Sequence, residues 1–465
     1  MFRQGKIYRF SRLKIMVIAL AIGLILTWIA TTAEALPSDG TTLVGVAKID
    51  ITPETPVRMY GYASRITESE GIAGPLKASA LVVGDDKGEG PAVMLAVDCG
   101  SVPKEIFEKL LKRLESKAGI RRERFVLCHS HCHSGPDIKG MKSIKGEERK
   151  HLNQYAELLL NRMEEVVLNA LAKRTRGRLD WAQGSVDVAA NRRVLTDGKW
   201  TGFGAVPEGA VDHSLPLLRV TDTDGRLIGV VINYACHNTT LRGKFTKIHG
   251  DWAGCAQEYI ENEHPGAVCL ITIGCGADSD PCPHSTVELC EQHGRAIADE
   301  VNRLLEGPFK KVKPEVQARA KTIRFNMNEA PPVEEIKKRQ GKSWLLSDAI
   351  KQIEGGEDLP SSVDYRVVSW CFGDDLAMVF LEEEVVVDYA LRIKREFVGD
   401  RLWISAYTND VSTYIVSKRL ISEGGYEVRN SLSTILSFGQ PQTVEPAVED
   451  CILNAVRDIL PAAFH

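Results

Sequence analysis

The chain has 465 residues, is 44% hydrophobic, and sets 58 lysines and arginines against 62 aspartates and glutamates, a formal net charge of −4. That balance excludes a protein that holds nucleic acid through a global basic field, and the apolar share is ample for a large core. The 11 cysteines are an odd number, so at least one stays out of any intrachain pairing, and no C-x-x-C pair suggests a zinc ribbon or a thioredoxin-like centre.

In chain order, Arg3, Lys6, Arg9, Arg12 and Lys14 come first. An almost wholly apolar run follows from Ile15 to Ala30, and then Ala33-x-Ala35. This pattern predicts a secretory signal peptide over 1–35, cleaved after Ala35, which places the mature protein in the periplasm or outside the cell. The alternative is an uncleaved anchor, but the run is short of the roughly 20 residues that span a bilayer. From residue 42 to 465 the chain reads as one domain.

Apolar, β-branched runs at 80–84, 92–97, 125–127, 227–234, 268–273, 376–381 and 402–406 predict strands. Stretches at 104–117, 150–172, 252–263, 286–305 and 385–396 predict helices. The first carries Ile106, Phe107, Leu110, Leu111 and Leu114 on a 3.6-residue period. Their alternation predicts an α/β class: a layered catalytic domain with a mixed β-sheet flanked by helices. Most cysteines read as small buried residues within it.

The chemically loaded segments each follow a predicted strand, so a site is expected at the carboxyl ends of strands. In the run 128–137, His129, His131 and His133 recur at every second position. On an extended chain they share a face, which suits one metal ion or one reacting group; a polar strand edge facing water satisfies the same spacing. His237 ends the run 227–234, where a hydrogen-bonded core histidine and a metal ligand are both consistent. Asp251 is placed to cap the helix from 252. Gly274 to Pro281 is a glycine-rich loop in which Ser279 lies between Asp278 and Asp280. Glu384 closes an acidic trio, Glu382-Glu383-Glu384, that opens a helix, where carboxylates complement the helix dipole. Tyr414 lies in a polar stretch. There is no H-E-x-x-H, Walker loop, Rossmann glycine fingerprint or EF-hand loop, so any metal ligands are scattered along the chain.

Taken together, these blocks resemble the neutral/alkaline (non-lysosomal) ceramidase family. Ile51-Thr52-Pro53, Met59-Tyr60-Gly61-Tyr62, Gly71-Ile72 and Leu76-Lys77-Ala78-Ser79-Ala80 follow its opening progression. Ser130-His131-Cys132-His133-Ser134-Gly135-Pro136 follows its T-H-T-H-S-G-P block. The resemblance implies Zn²⁺ bound by His131, His237, Glu384 and Tyr414. It places His133 and Arg192 among further active-site residues: His133, or a carboxylate from Asp278 or Asp280, would shuttle protons, and Arg192 would stabilise an oxyanion. It departs at the loop that carries the family's serine in G-D-x-S-P-N. Here Asp280 takes that position and Ser279 falls one residue early.

The expectation is an exported zinc-dependent amidohydrolase cleaving an N-acyl, ceramide-like amide bond. It would consist of the catalytic domain without the family's C-terminal immunoglobulin-like domain. Its substrate would be an N-acylated lipid or small molecule, and peripheral membrane contact is compatible with that substrate. Two alternatives keep the scaffold: a zinc-dependent esterase or deacylase of another acylated substrate, and a non-catalytic binding protein.

Overall fold

Each apolar run in the sequence is a strand: Lys77–Val83, Ala92–Val97, Phe125–His129, Leu227–Tyr234, Val268–Ile273, Leu376–Glu382 and Leu402–Thr408. The amphipathic stretches are the helices Lys104–Ala118, Gly146–Ala172, Asp251–Glu263, Val287–Glu306 and Val387–Glu396. The computed structural model describes residues 40–440 and 447–465, with Met1; the predicted signal peptide lies outside the described residues. Thr41–His465 forms one compact unit.

Several strands escape the apolar-run criterion. Thr42–Asp50, Thr175–Ser185, Ser214–Asp222, Gln317–Asn326 and Ser362–Phe372 mix polar and apolar residues. Gln317–Asn326 places basic side chains at Arg319, Lys321 and Arg324, and it ends the sheet, where one edge meets solvent.

These twelve strands, with Lys310–Lys311 paired to Thr175–Ser185, make one 13-stranded mixed sheet. Parallel pairs join Leu227–Tyr234 to Val268–Ile273, Ala92–Val97 to Phe125–His129, and Leu376–Glu382 to Leu402–Thr408. The sheet folds over on itself. Asn233, on one half, donates from Nδ2 to Ile404 O at 2.9 Å on the other. Between the halves lies an apolar layer that includes Met94, Trp181, Leu270, Trp370, Phe380 and Trp403. Helices 104–118 and 146–172 cover one outer face through Leu110, Leu114, Leu159 and Met163. Helices 251–263, 287–306, 387–396 and 448–459 cover the other through Trp252, Ile297, Ile393 and Ile452. The result is helix, sheet, sheet, helix. Nine of the 11 cysteines are buried within these layers. Among the described residues, no helix is long and apolar enough to cross a membrane.

The fold also brings strand ends together. Phe125–His129 and Leu402–Thr408 pair only at Cys128 and Thr408, near their carboxyl ends. Asn409 locks this junction, its N donating to Leu127 O at 2.8 Å and its Oδ1 accepting from Leu127 N at 3.1 Å.

Asp98, just past Ala92–Val97, is 1% exposed. Its Oδ2 accepts from Lys77 N at 2.9 Å, and its Oδ1 accepts from Gln257 Nε2 at 3.4 Å. Burial pushes its carboxyl up from 3.8 to about 6. A carboxyl raised in the folded state contributes stability that is fully present below its unfolded value and is lost as pH rises through the folded value. Asp98→Asn removes this titration. Chemical-denaturation midpoints should show the wild type losing stability relative to the variant between about pH 4 and pH 6, and parallel curves would refute the assignment.

Candidate metal centre

The strand expected to carry three histidines on one face ends at His129, because His131 adopts a left-handed backbone, φ 51°. His129 is therefore separated from the other two. It is buried, its Nδ1 lies 2.8 Å from Tyr407 O, and burial lowers its pKa to about 4. His131 and His133 turn into the space beyond the strand end.

There His131 meets His237 and Glu384. His131 Nδ1 lies 2.8 Å from Gly100 O, and His237 Nδ1 lies 2.8 Å from Gly276 O. A carbonyl accepts only, so each Nδ1 carries a proton, and in the neutral ring that a metal ligand requires each Nε2 presents a lone pair. Both Nε2 atoms lie 3.3 Å from Glu384 Oε2. That oxygen is buried and has no hydrogen-bond partner. Two lone pairs and a carboxylate oxygen facing one point repel unless a cation or proton lies between them. His133 Nε2 is 3.1 Å from His131 Nε2, and the ligand atoms of His131, His133 and His237 lie within 4.8 Å of one another. Burial, reinforced by the other two histidines, holds His133 well below its usual pKa. Gly61 gives His133 room: at φ +93°, its missing Cβ would lie 2.2 Å from His133 Nδ1.

The acidic trio does not open the helix, which starts at Val387; each of its members serves a different contact. Glu382 accepts from Arg366 N at 2.9 Å. Glu383, at φ 71°, accepts from the amides of Ser412 and Thr413. Glu384 pairs with Tyr414 in a short parallel ladder. The Tyr414 hydroxyl lies 3.4 Å from Arg192 Nη2.

Arg192 stands on a three-stranded sheet with Ala189–Thr196 at its centre, flanked by Lys199–Val206 and Ser279–Pro281. Its Nη1 lies 3.4 Å from His237 Nε2 and donates to Asp280 Oδ1 at 3.2 Å, and its Nε donates to Glu427 Oε1 at 3.0 Å. Arg242 donates from Nη2 to the other Asp280 oxygen at 2.8 Å. These two guanidinium groups outweigh the opposing effect of burial and hold Asp280 well below the usual carboxylate range.

A cavity of about 530 Å³ opens over the centre, with His133, Arg192, Asp280 and Tyr414 in its lining. Asp278 and Ser279 are absent from that lining, and both are fully buried. Asp278 accepts from Val387 N at 2.8 Å, satisfying an orphan amide at a helix start, and from Asn191 Nδ2 at 3.2 Å. Ser279 contributes backbone, its carbonyl accepting from His237 N at 3.0 Å, while its hydroxyl is buried without a partner. The expected carboxylate–serine–carboxylate cluster thus reaches the cavity only through Asp280. Sequence reasoning missed Arg242, Glu427, Tyr62 and Tyr426. Arg242 follows strand 227–234 by a few residues, so the strand-end criterion carried further along the loop would have included it.

Asp251 does more than begin a helix. At φ 56° it is the first helical residue, after Gly250, and its carboxylate accepts from Thr240 N at 2.9 Å, Leu241 N at 2.8 Å and Trp252 N at 2.7 Å. Neighbouring residues brace both histidine loops. Trp252 Nε1 donates to His237 O at 2.9 Å, and His249 N donates to Ser134 O at 3.1 Å. His249, Cys255 and Cys290 also gather within 4.8 Å, but Asp251 N donates to His249 Nδ1 at 2.9 Å and occupies that lone pair.

The model of the neutral/alkaline non-lysosomal ceramidase N-terminal region matches residues 42–324. Neutral ceramidase of Pseudomonas aeruginosa is 28% identical over 228 residues, 47% of this chain and 33% of that protein. Neutral ceramidase of Drosophila melanogaster is 26% identical over 267 residues, 54% of this chain and 37% of that protein. The chain thus spans about a third of the length of these relatives. The crystal structure of the Pseudomonas aeruginosa neutral ceramidase superposes with a TM-score of 0.69 at 19% identity, covering 90% of this chain and 75% of that one, which shows a shared fold.

Asp251→Ala leaves three amides without their acceptor. It should cost about 2–4 kcal/mol in chemical denaturation. Asp251→Asn keeps one carbonyl acceptor and tolerates the left-handed backbone, so it should lose less.

Proposed function

This chain belongs to the neutral/alkaline non-lysosomal ceramidase family, and on that premise we propose that it is an exported, zinc-dependent amidohydrolase that cleaves an N-acyl bond of the ceramide type. The observation that carries the reading is the approach of His131 Nε2 and His237 Nε2 to Glu384 Oε2, 3.3 Å each, beneath a cavity lined by His133, Arg192 and Tyr414. Two imidazoles, a carboxylate and the Tyr414 phenol are a donor set that suits zinc, and the unpartnered Glu384 oxygen is the atom a cation would satisfy. Zinc bound there supplies a Lewis acid for the amide carbonyl and lowers the pKa of a water to about 7.

The chain's own residues supply the rest. Arg192 directs Nη1 and Nη2 between His237 and Tyr414, where they neutralise an oxyanion, and Glu427 fixes its orientation through Nε. His133 is held neutral and lies in the cavity wall, so its Nε2 can carry a proton to the leaving amine. Asp280 has both oxygens occupied by guanidinium groups, so it positions the two arginines rather than transferring protons. Asp278 supports the site through its carboxylate, on Val387 N and Asn191 Nδ2, and Ser279 through its carbonyl, on His237 N. The pattern at 1–35 supports export, and residues 42–465 act as the catalytic domain.

The carboxylate at Asp280, where the family's motif has serine, favours a second reading: a zinc-dependent esterase or deacylase on another acylated substrate. His131→Ala and His237→Ala should each abolish zinc content by elemental analysis together with hydrolysis, and zinc should restore the chelated wild type. Full occupancy in both variants overturns the ligand assignment. Turnover of O-acyl substrates alone selects the second reading, and stoichiometric zinc without turnover of any acyl substrate indicates a binding protein.

A further inference from the structure

The cavity wall carries more positive charge than a neutral lipid amide requires. Of the charged residues that line it, Arg192 and Arg242 are cationic and Asp280 alone is a carboxylate. Arg192 is paired with Glu427 and Asp280 and is directed at the Tyr414 hydroxyl and the metal centre. Arg193, behind it, is matched by Glu423 and Glu427. Arg242 differs. One amino group donates to Asp280 Oδ2 at 2.8 Å and its Nε is buried, yet the side chain keeps 28% of its surface exposed, so the exposed part is the rest of the guanidinium.

Arg65 lies outside the cavity lining, is buried, and makes no ion pair among the described residues. It donates to backbone oxygens: Tyr60 O at 3.0 Å, Arg242 O at 3.1 Å, Gly243 O at 3.4 Å, and His133 O. It also lies over the Tyr62 ring at 4.8 Å. These bonds tie the loop of Arg242 to the loops of Tyr62 and His133, so the Arg242 backbone is fixed before a ligand arrives. The same wall offers Phe203, Tyr62, Tyr426 and Pro281 to an apolar chain. Apolar side chains beside a part-exposed guanidinium whose backbone is fixed match an amphiphile that carries a carboxylate.

We propose that this wall selects an amide bearing a free carboxylate, with Arg242 as the residue that binds it. The inference rests on the amidohydrolase reading and names its substrate class. The carboxylate could belong to the amine half, as in an N-acyl amino acid, or to the acyl half, as in the monoamide of a dicarboxylic acid. Both present the same chemistry to Arg242.

The test uses zinc-loaded protein and four amides: N-lauroylglycine, its neutral glycinamide counterpart, a dodecylamine monoamide of adipic acid, and an N-acylsphingosine. A carboxylate form should exceed the neutral glycinamide in kcat/KM by about 30-fold or more, mainly through KM. Which acid is preferred assigns the carboxylate to one half. In Arg242→Gln, with zinc content and melting temperature checked against the wild type, the acid-to-neutral ratio should fall to within about threefold. Arg242→Lys should retain part of the preference. Calorimetric binding of N-lauroylglycine against its glycinamide keeps the inference testable if no amide is turned over. Tighter binding of the acid, lost in Arg242→Gln, supports the anionic specificity even where the hydrolase reading fails. Equal kcat/KM and equal Kd for acid and neutral forms, or a preference that survives in Arg242→Gln, overturns it.

Discussion

The Nε2 lone pairs of His131 and His237 face one oxygen of Glu384, and much of the surrounding structure serves to hold that repulsive arrangement in place. The histidines arrive from opposite halves of a folded sheet. His131 follows Phe125–His129, whereas His237 follows Leu227–Tyr234. Neither ring is free to turn away, because Gly100 O and Gly276 O each accept its Nδ1 proton. Glu384 is delivered by a third strand end and secured by the short ladder with Tyr414. Within so buried a pocket, the convergence is stable only when positive charge sits at its centre.

Backbone strain follows the same pattern. Of the eight non-glycine residues with positive φ among those described, His131, Asp251, Glu383, Tyr407 and Asn409 lie on the loops around the centre. Such conformations cost about 1–3 kcal/mol each and persist only where surrounding bonds over-determine them. Those bonds are present. Glu383 N donates to Asp410 O at 2.7 Å, Tyr407 N donates to Glu383 O at 3.0 Å, and Asn409 bridges to Leu127 in both directions. His131, Glu383 and Asn409 each turn the chain just past a strand end and break the alternation there.

That turning explains what the amino-acid sequence revealed and what it concealed. Apolar runs and 3.6-residue periods exposed the buried strands and the long helices, because burial on two faces or along one stripe writes itself into composition. The rule that chemistry follows strand ends correctly linked residues 131, 237 and 384, which are scattered over the chain. Polar edge strands such as Gln317–Asn326 were invisible to it, since one face meets water. The reading of His129, His131 and His133 as one extended row failed for a local reason: a histidine at φ 51° cannot be told from an extended one by spacing. Arg242 and Glu427 were hidden because their significance lies in pairings with Asp280 and Arg192 across long sequence distances.

Asp280 shows how a substituted residue can redirect a site without dismantling it. A hydroxyl at that position would leave Arg192 and Arg242 facing each other without an anion between them. The carboxylate between them offsets their mutual repulsion. Its cost is chemical. With Oδ1 on Arg192, Oδ2 on Arg242 and the Thr239 hydroxyl 3.5 Å from Oδ1, it has little capacity left to act as a base or nucleophile. His133 is the one imidazole of the cluster that reaches the cavity wall. The carboxylate holds a fixed pair of guanidinium groups at the cavity wall.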